Sequence, residues 1–278
     1  MRVIFEKVDL DTCLTALILN VSAEDQLIPV RGGADSRDLQ DPSILCIEVG
    51  GSGRAELGNF DHHNCDPPLP PACRQAYDLS DKKGPMLARL VQYVSLLDEG
   101  RTMPFPIAFP SLSNIFSGML LHEKNPLDRF TQGLSMLQTV LDEGLDPFQT
   151  LPDKPRWIPY KEAKLANQRA LATMLREARF HKTHSGRTLA YCEHEAIGGL
   201  GHFYRQGCEL VVLFNPRFGD RALRKFTVAG NGVCVKPAQV RLNELEPGWG
   251  GTETIIGSPR TGSILDPGQV VEIVCEEL

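Results

Sequence analysis

Residues 60–64 read Phe60-Asp61-His62-His63-Asn64, and they follow a glycine-rich turn, Glu48-Val49-Gly50-Gly51-Ser52-Gly53, that closes a run of β-formers starting at Ile44. A carboxylate and two imidazoles placed just after a Gly-rich strand end suggest a metal or phosphate site. Neutral imidazole and carboxylate oxygen together suit Mn, Fe, Zn or Mg, and a carboxylate-rich set leans toward the harder of these ions. Taken by itself, the tripeptide is equally well a solvated or capped turn, because neighbouring side chains in extended backbone point to opposite sides.

Upstream of this stretch, β-rich runs at Arg2 to Phe5, Gln26 to Val30 and Ile44 to Val49 alternate with turn or helix patterns, the first a helix from about Thr12 to Asn20. That alternation predicts a parallel sheet with helices on its faces. Asp9-x-Asp11 then falls at the carboxyl end of a strand and the amino end of a helix, where ligand crevices of open α/β sheets lie. Downstream, the Pro-rich segment Asn64 to Pro71 reads as irregular. Apolar spacing predicts helices over Gly84 to Leu97, Ser111 to Leu121 and Leu127 to Leu141. The first domain is expected to span residues 1–150. Residues 151–184 read as a linker and a charged connecting helix, Tyr160 to Arg179. Residues 185–278 carry β-rich runs at Thr188 to Cys192, Glu209 to Phe214, Lys225 to Val228, Glu253 to Gly257 and Val270 to Val274. The fold class is therefore α/β, a parallel-sheet N-terminal domain followed by a smaller mixed α/β domain.

The 278 residues carry a net charge of −6, from 29 basic and 35 acidic side chains. This removes the basic footprint of a protein that grips long duplex nucleic acid, while leaving room for a local phosphate site. Apolar runs fall far short of the roughly 18–20 residues of a membrane span, so no membrane association is expected. Acids at Glu6, Asp9 and Asp11 stand where a secretory signal would have its apolar core, which places the chain in the cytoplasm. The eight cysteines contain no C-x-x-C pair and read as scattered thiols. His181, His184, His194 and His202 lack zinc-finger spacing. Gly198-Gly199-Leu200-Gly201 lacks the Lys-Ser/Thr continuation of a P-loop and reads as a flexible loop, and no Gly-x-Ser-x-Gly elbow occurs.

Taken in order, Asp9-x-Asp11, Glu48, Asp61-His62-His63 and Asp98 form a series of acids and imidazoles. The series resembles the DHH phosphoesterase superfamily, which includes the RecJ-type exonucleases, the nanoRNases and the family II pyrophosphatases. Glu48-Val49-Gly50-Gly51 leading to Phe60-Asp61-His62-His63, with Leu97-Asp98-Glu99-Gly100 beyond, is similar to the MYG-type metal-dependent exonuclease branch. In the second domain, Gly248-Trp249-Gly250-Gly251-Thr252 and Ile255-Ile256-Gly257-Ser258-Pro259-Arg260 look like the Gly-rich substrate loop of DHH-associated domains; an ordinary β-turn with a surface Arg is the other reading of that segment.

The resemblance implies a metal-dependent phosphoesterase acting on a phosphodiester or phosphoanhydride, with two Mn²⁺ or Mg²⁺ ions. It assigns Asp9 to one ion, Asp11, His62 and Asp98 to the other, and Glu48 to the bridge. Asp61 would orient the imidazoles and His63 would contact the scissile phosphate. Gly250, Gly251, Thr252, Ser258 and Arg260 would hold the substrate, in a cleft between the domains. The implied partners are a small phosphorylated molecule, inorganic polyphosphate or a short single-stranded nucleic acid. Phe5 stands where the family places its first His, Glu48 where most members have Asp, and Thr252 where many have His. Loss of the first His reduces the expected metal complement toward one ion and keeps open a weakened relative that binds nucleotide or metal without turnover. A third reading makes the charged helix at 160–179 a docking face.

Overall fold

The computed structural model describes residues 1–22, 24–50, 53–63, 65–219 and 221–278. Gly51, Ser52 and Asn64, named above in the glycine-rich turn and the stretch it precedes, lie outside the described residues. The chain divides into two compact units, Met1–Lys164 and Leu165–Leu278.

The first unit contains, in chain order, β1 (Arg2–Phe5), α1 (Leu10–Ile18), β2 (Gln26–Pro29), β3 (Ile44–Ile47), β4 (Asn59–Phe60), α2 (Ala72–Leu79), α3 (Pro85–Asp98), α4 (Leu112–His122) and α5 (Pro126–Asp142). A further helix, α6 (Ile158–Glu177), runs across the division between the units. The four strands form one parallel sheet in the order β2-β1-β3-β4. β1 and β3 are buried on both faces, which explains why they read as unbroken apolar runs instead of alternating ones. Val3, Phe5, Leu45, Ile47 and Phe60 face the helices and form the main core with Leu14, Leu90, Ile115 and Phe130. The opposite face, where Ile4, Ile44 and Cys46 point, is covered by the Val30–Leu39 segment. Helices thus line one face of the sheet, and a loop covers the other.

Two local differences from the sequence expectation matter for the site. Helix α1 starts at Leu10, two residues early, because Asp9 caps it by accepting the Thr12 N–H at 2.9 Å. Helix α2, inside no predicted element, begins after Pro71, which has no capping side chain. Asp11 supplies the cap from α1: its two carboxylate oxygens accept the Ala72 and Cys73 N–H groups, each at 2.8 Å.

The second unit adds β5 (Arg179–Lys182), β6 (Thr188–Glu193), α7 (Leu200–Arg205), β7 (Leu210–Phe218), β8 (Leu223–Gly230), α8 (Lys236–Leu245), β9 (Gly250–Gly251), β10 (Ile255–Gly257) and α9 (Pro267–Glu277). Its mixed sheet has the order β5-β6-β7-β8-β10-β9; among the described residues only β6 and β7 pair in parallel. Leu189, Leu210 and Val212 face α8 and α9 on one side, while Ala190, Cys192 and Val211 face Met174 and Phe203 on the other.

Val270–Val274, expected as a strand, lies in α9. Asp266 caps that helix by accepting the Gly268 N–H at 2.8 Å, and Val270, Val271, Ile273 and Val274 recur at helical spacing against the core. Burial of that face outweighs the β preference of its branched residues. Gly198–Gly201, expected as a flexible loop, opens the short helix α7 with Gly199 at φ 115°. Arg179, expected to end the connecting helix, instead opens the edge strand β5. Among the described residues, no helix is long and apolar enough to cross a membrane.

Candidate metal centre

Adjacent strands β1, β3 and β4 deliver their following residues to one edge of the parallel sheet. Asp9 and Asp11 follow β1, Glu48 follows β3 and Asp61-His62-His63 follows β4; Asp98 is the last residue of α3. One side-chain oxygen or nitrogen from each of Asp11, Glu48, His62 and Asp98 comes within 4.8 Å of all the others, and Glu48, His62 and His63 meet the same limit. His62 Nε2 lies 3.1 Å from Asp98 Oδ2 and 3.4 Å from Glu48 Oε1. Asp98, the last acid of the series in sequence order, thus lies beside Asp11, Glu48 and His62 in space.

The backbone works to build this cluster. Glu48 has φ 53°, a left-handed conformation that non-glycine residues seldom adopt and that concentrates at functional sites. Its Oε2 accepts a 2.6 Å bond from Thr12 Oγ1, a buried contact that no sequence motif signalled. Asp98 sits at a helix C-terminus, where the macrodipole opposes a negative charge. Both positions violate a local preference in favour of placing a carboxylate here.

His62 and His63 do not point to opposite sides. Their ring centroids are 4.4 Å apart, and both approach Glu48 Oε1, at 3.4 Å and 3.8 Å. The reason is a side-chain turn directly after β4: Asp61 Oδ1 accepts the His63 backbone N–H at 2.8 Å and lies 3.0 Å from His63 Nδ1. Asp61 Oδ2 accepts the Gly50 N–H at 3.0 Å, tying the turn to the end of β3. Buried Asp61 therefore fixes the His63 ring, whose side chain is half exposed.

Burial, and after it the crowding of charges, shifts the carboxyl groups of the cluster. Burial, then the charges of Asp9 and Asp11, raises the Glu48 carboxyl to about 9. Burial also raises Asp11 to about 6 and pushes Asp98 upward, against the pull of His62. The His62 Nε2 atom is buried and makes no hydrogen bond of acceptable geometry despite its carboxylate neighbours. An orphaned imidazole nitrogen among three closely grouped carboxyl groups is a donor set that fits a divalent cation.

A cavity of about 460 Å³ opens over the cluster, lined by Asp9, Glu48, Asp61, His63 and Asp98, and also by Lys7 and the Gly32-Gly33 turn. The last two were not singled out from sequence, although a Gly-Gly pair just after β2 was the available signal. Gly33 has φ 98°, and a Cβ there would meet Val49 O at 2.9 Å. Phe5, at the end of β1, contributes no donor: it is fully buried and stacked on Phe130 with centroids 4.4 Å apart.

In the second unit, Gly250, Gly251 and Thr252 lie in the exposed β9–β10 hairpin, where Thr252 N bonds Ile255 O at 2.8 Å. Ser258 is buried, its Oγ accepting the Phe226 N–H at 2.9 Å, and Arg260 is exposed.

No family model matches the chain, and no curated protein matches it. Two of the solved structures that match the chain share its fold over nearly its whole length. One is a pGpG-specific phosphodiesterase, PggH, from Vibrio cholerae, with 13% identity, TM-score 0.58, and coverage of 98% of this chain and 99% of that one. The other is the DHH domain of a member of the s1p family of ribosomal proteins, with 12% identity, TM-score 0.54, and coverage of 98% and 85%. The chain has the DHH fold, as its order of acids and imidazoles implied.

Proposed function

We propose that this chain, with the DHH fold as premise, is a metal-dependent phosphoesterase that hydrolyses a phosphodiester or phosphoanhydride in a short oligonucleotide, a dinucleotide or polyphosphate. The observation that carries the reading is the buried, unbonded His62 Nε2 facing Asp98 and Glu48 at 3.1 Å and 3.4 Å, with Asp11 in the same cluster. The phosphodiesterase activity of the Vibrio protein with the same fold supports it.

Asp11, Glu48, His62 and Asp98, with Asp9 beside them, would hold Mn²⁺ or Mg²⁺. Such an ion, when bound, would supply Lewis-acid polarisation of a phosphoryl oxygen and acidification of water. The chain's own residues do the rest. Asp61 holds His63 by Nδ1, so Nε2 is the nitrogen left to meet the scissile phosphate. Glu48, anchored by Thr12, keeps one oxygen toward both imidazoles. In the second unit, we assign recognition of the rest of the substrate to Gly250, Gly251 and Thr252 of the β9–β10 hairpin and to Ser258 and Arg260 just after β10, with Arg260 as the exposed guanidinium fork. The surplus of acid over base suits small or single-stranded substrates over long duplexes.

The test is product release from a panel of short oligonucleotides, linear and cyclic dinucleotides and polyphosphate, with Mn²⁺ or with chelator. Release that requires Mn²⁺ and disappears in Asp61→Ala and His62→Ala is expected. Nucleotide or Mn²⁺ binding with no release from any member would make the chain a binding protein on an enzyme's fold, in keeping with Phe5 at the first-motif position.

A further inference from the structure

The acids of the metal cluster follow β1, β3 and β4 or end α3, while β2 stands on the far side of β1 from β3. Because β1 and β2 are parallel neighbours with Phe5 opposite Pro29, the residues after them reach the same edge of the sheet. Glu6 and Lys7 follow β1, and the Gly32-Gly33 turn closely follows β2. A 3.0 Å bond from the Gly32 N–H to Glu6 Oε1 joins the two segments. Lys7 and Gly33 line the cavity over the cluster, with Asp9, Glu48 and Asp98.

This wall carries donors that the fold leaves over. Glu6 takes the Gly32 N–H, and Val49 O takes the Ala34 N–H at 2.6 Å, whereas the Gly33 N–H between them has no acceptor among the described residues. Glu6, the acid next to Lys7 in sequence, is thereby engaged with the turn. The Lys7 ammonium has neither an acceptor nor an acidic partner among the described residues, although Glu6, Asp9, Glu48, Asp61 and Asp98 all line the cavity with it.

We infer that Lys7 and the Gly33 N–H form an oxyanion subsite that holds phosphate oxygens beside the metal cluster. The inference rests on the phosphoesterase reading and adds to it a pair of contacts made by the first unit itself. An ammonium and a turn N–H, both without acceptors, are the donors that recognise a phosphate oxygen. A cavity lined by so many acids disfavours an anionic ligand, and Lys7 supplies positive charge there that no carboxylate of the chain cancels. A merely solvated surface lysine, by contrast, would leave phosphate binding unchanged when removed.

Calorimetry of inorganic phosphate on the full chain, loaded with Mn²⁺, tests the subsite. Lys7→Ala is expected to weaken phosphate by about tenfold or more while Mn²⁺ binds as tightly as before, and Lys7→Arg is expected to restore most of the loss. With Mg²⁺ as the ion, the Gly33 amide resonance is expected to shift on addition of phosphate. A Lys7→Ala protein that binds phosphate as tightly as its parent would overturn the subsite and leave the phosphoesterase reading standing. Equal loss of Mn²⁺ and phosphate in that variant would also overturn it, because Lys7 would then act through the metal centre. An unmoved Gly33 resonance would overturn the N–H contact. No binding of phosphate to the unsubstituted, Mn²⁺-loaded protein would overturn the subsite and, together with no release from the substrate panel, the phosphoesterase reading as well.

Discussion

Replacing Glu48 by Gln is expected to remove most of the pH dependence of the first unit's stability in the metal-free protein. The Glu48 carboxyl, raised by burial to about 9 from an ordinary 4.5, is protonated in the folded chain at pH 7 and ionised in the unfolded one. A folded value above the unfolded one contributes stability that is complete below about pH 4.5 and lost as pH rises through about 9. Between those limits the unfolded chain binds one proton fewer, and the slope is about −1.4 kcal/mol per pH unit. From about pH 5 to about pH 8 the loss reaches about 4 kcal/mol. Asp11, raised to about 6 from 3.8, acts in the same direction at the acid end of that window. The Gln amide has the shape of the protonated carboxyl, keeps an acceptor for Thr12 Oγ1, and carries no charge. Glu48→Gln should therefore match the parent near pH 5 and exceed it increasingly toward pH 8. Urea unfolding in chelator, followed by the buried Trp157 of the first unit with Trp249→Phe as background, reads this difference. Parallel stability profiles for the two proteins would refute the reasoning, because they would mean that Glu48 is ionised in the folded state.

The same protonation state predicts that Mn²⁺ binding at pH 7 releases about one proton from Glu48, which calorimetry in buffers of different ionisation enthalpy measures; an enthalpy independent of buffer would contradict it. Asp61→Asn should lower turnover by about 10–100-fold, because the side chain that holds the His63 ring and the Gly50 N–H loses its charge; steady-state kinetics of the most active panel member reads this. Phe5→His should lower the melting temperature without tightening Mn²⁺ binding, since the ring at this position is fully buried against Phe130. A gain in Mn²⁺ affinity would show that the imidazole swings out to the cluster.

Much of the site was legible because it follows strand ends. β1 and β3 announce themselves as short apolar runs, and the acids just beyond them land at the carboxyl edge of a parallel sheet by geometry alone. Features that depend on distant parts of the chain were not legible. Helix α2 has no cap in its own sequence, since Asp11 caps it from 61 residues away. The shared side of His62 and His63 comes from the Asp61 side-chain turn, which strand alternation cannot anticipate. In α9 the capping signals at Asp266 and Pro267 were present in the sequence, but the Val-Val-x-Ile-Val run concealed them until core packing decided between helix and strand. The bond from Thr12 to Glu48 is likewise tertiary, because it joins residues that no local pattern relates.

The measurement that bears most directly on the central claim is Mn²⁺ titration of the full chain, by calorimetry and electron paramagnetic resonance, beside the same titration of His62→Ala. The cluster of Asp11, Glu48, His62 and Asp98 predicts saturable binding that weakens by at least about tenfold when the imidazole is removed. Indistinguishable titrations of the two proteins would contradict it, because the buried Nε2 atom would then have no part in holding a cation.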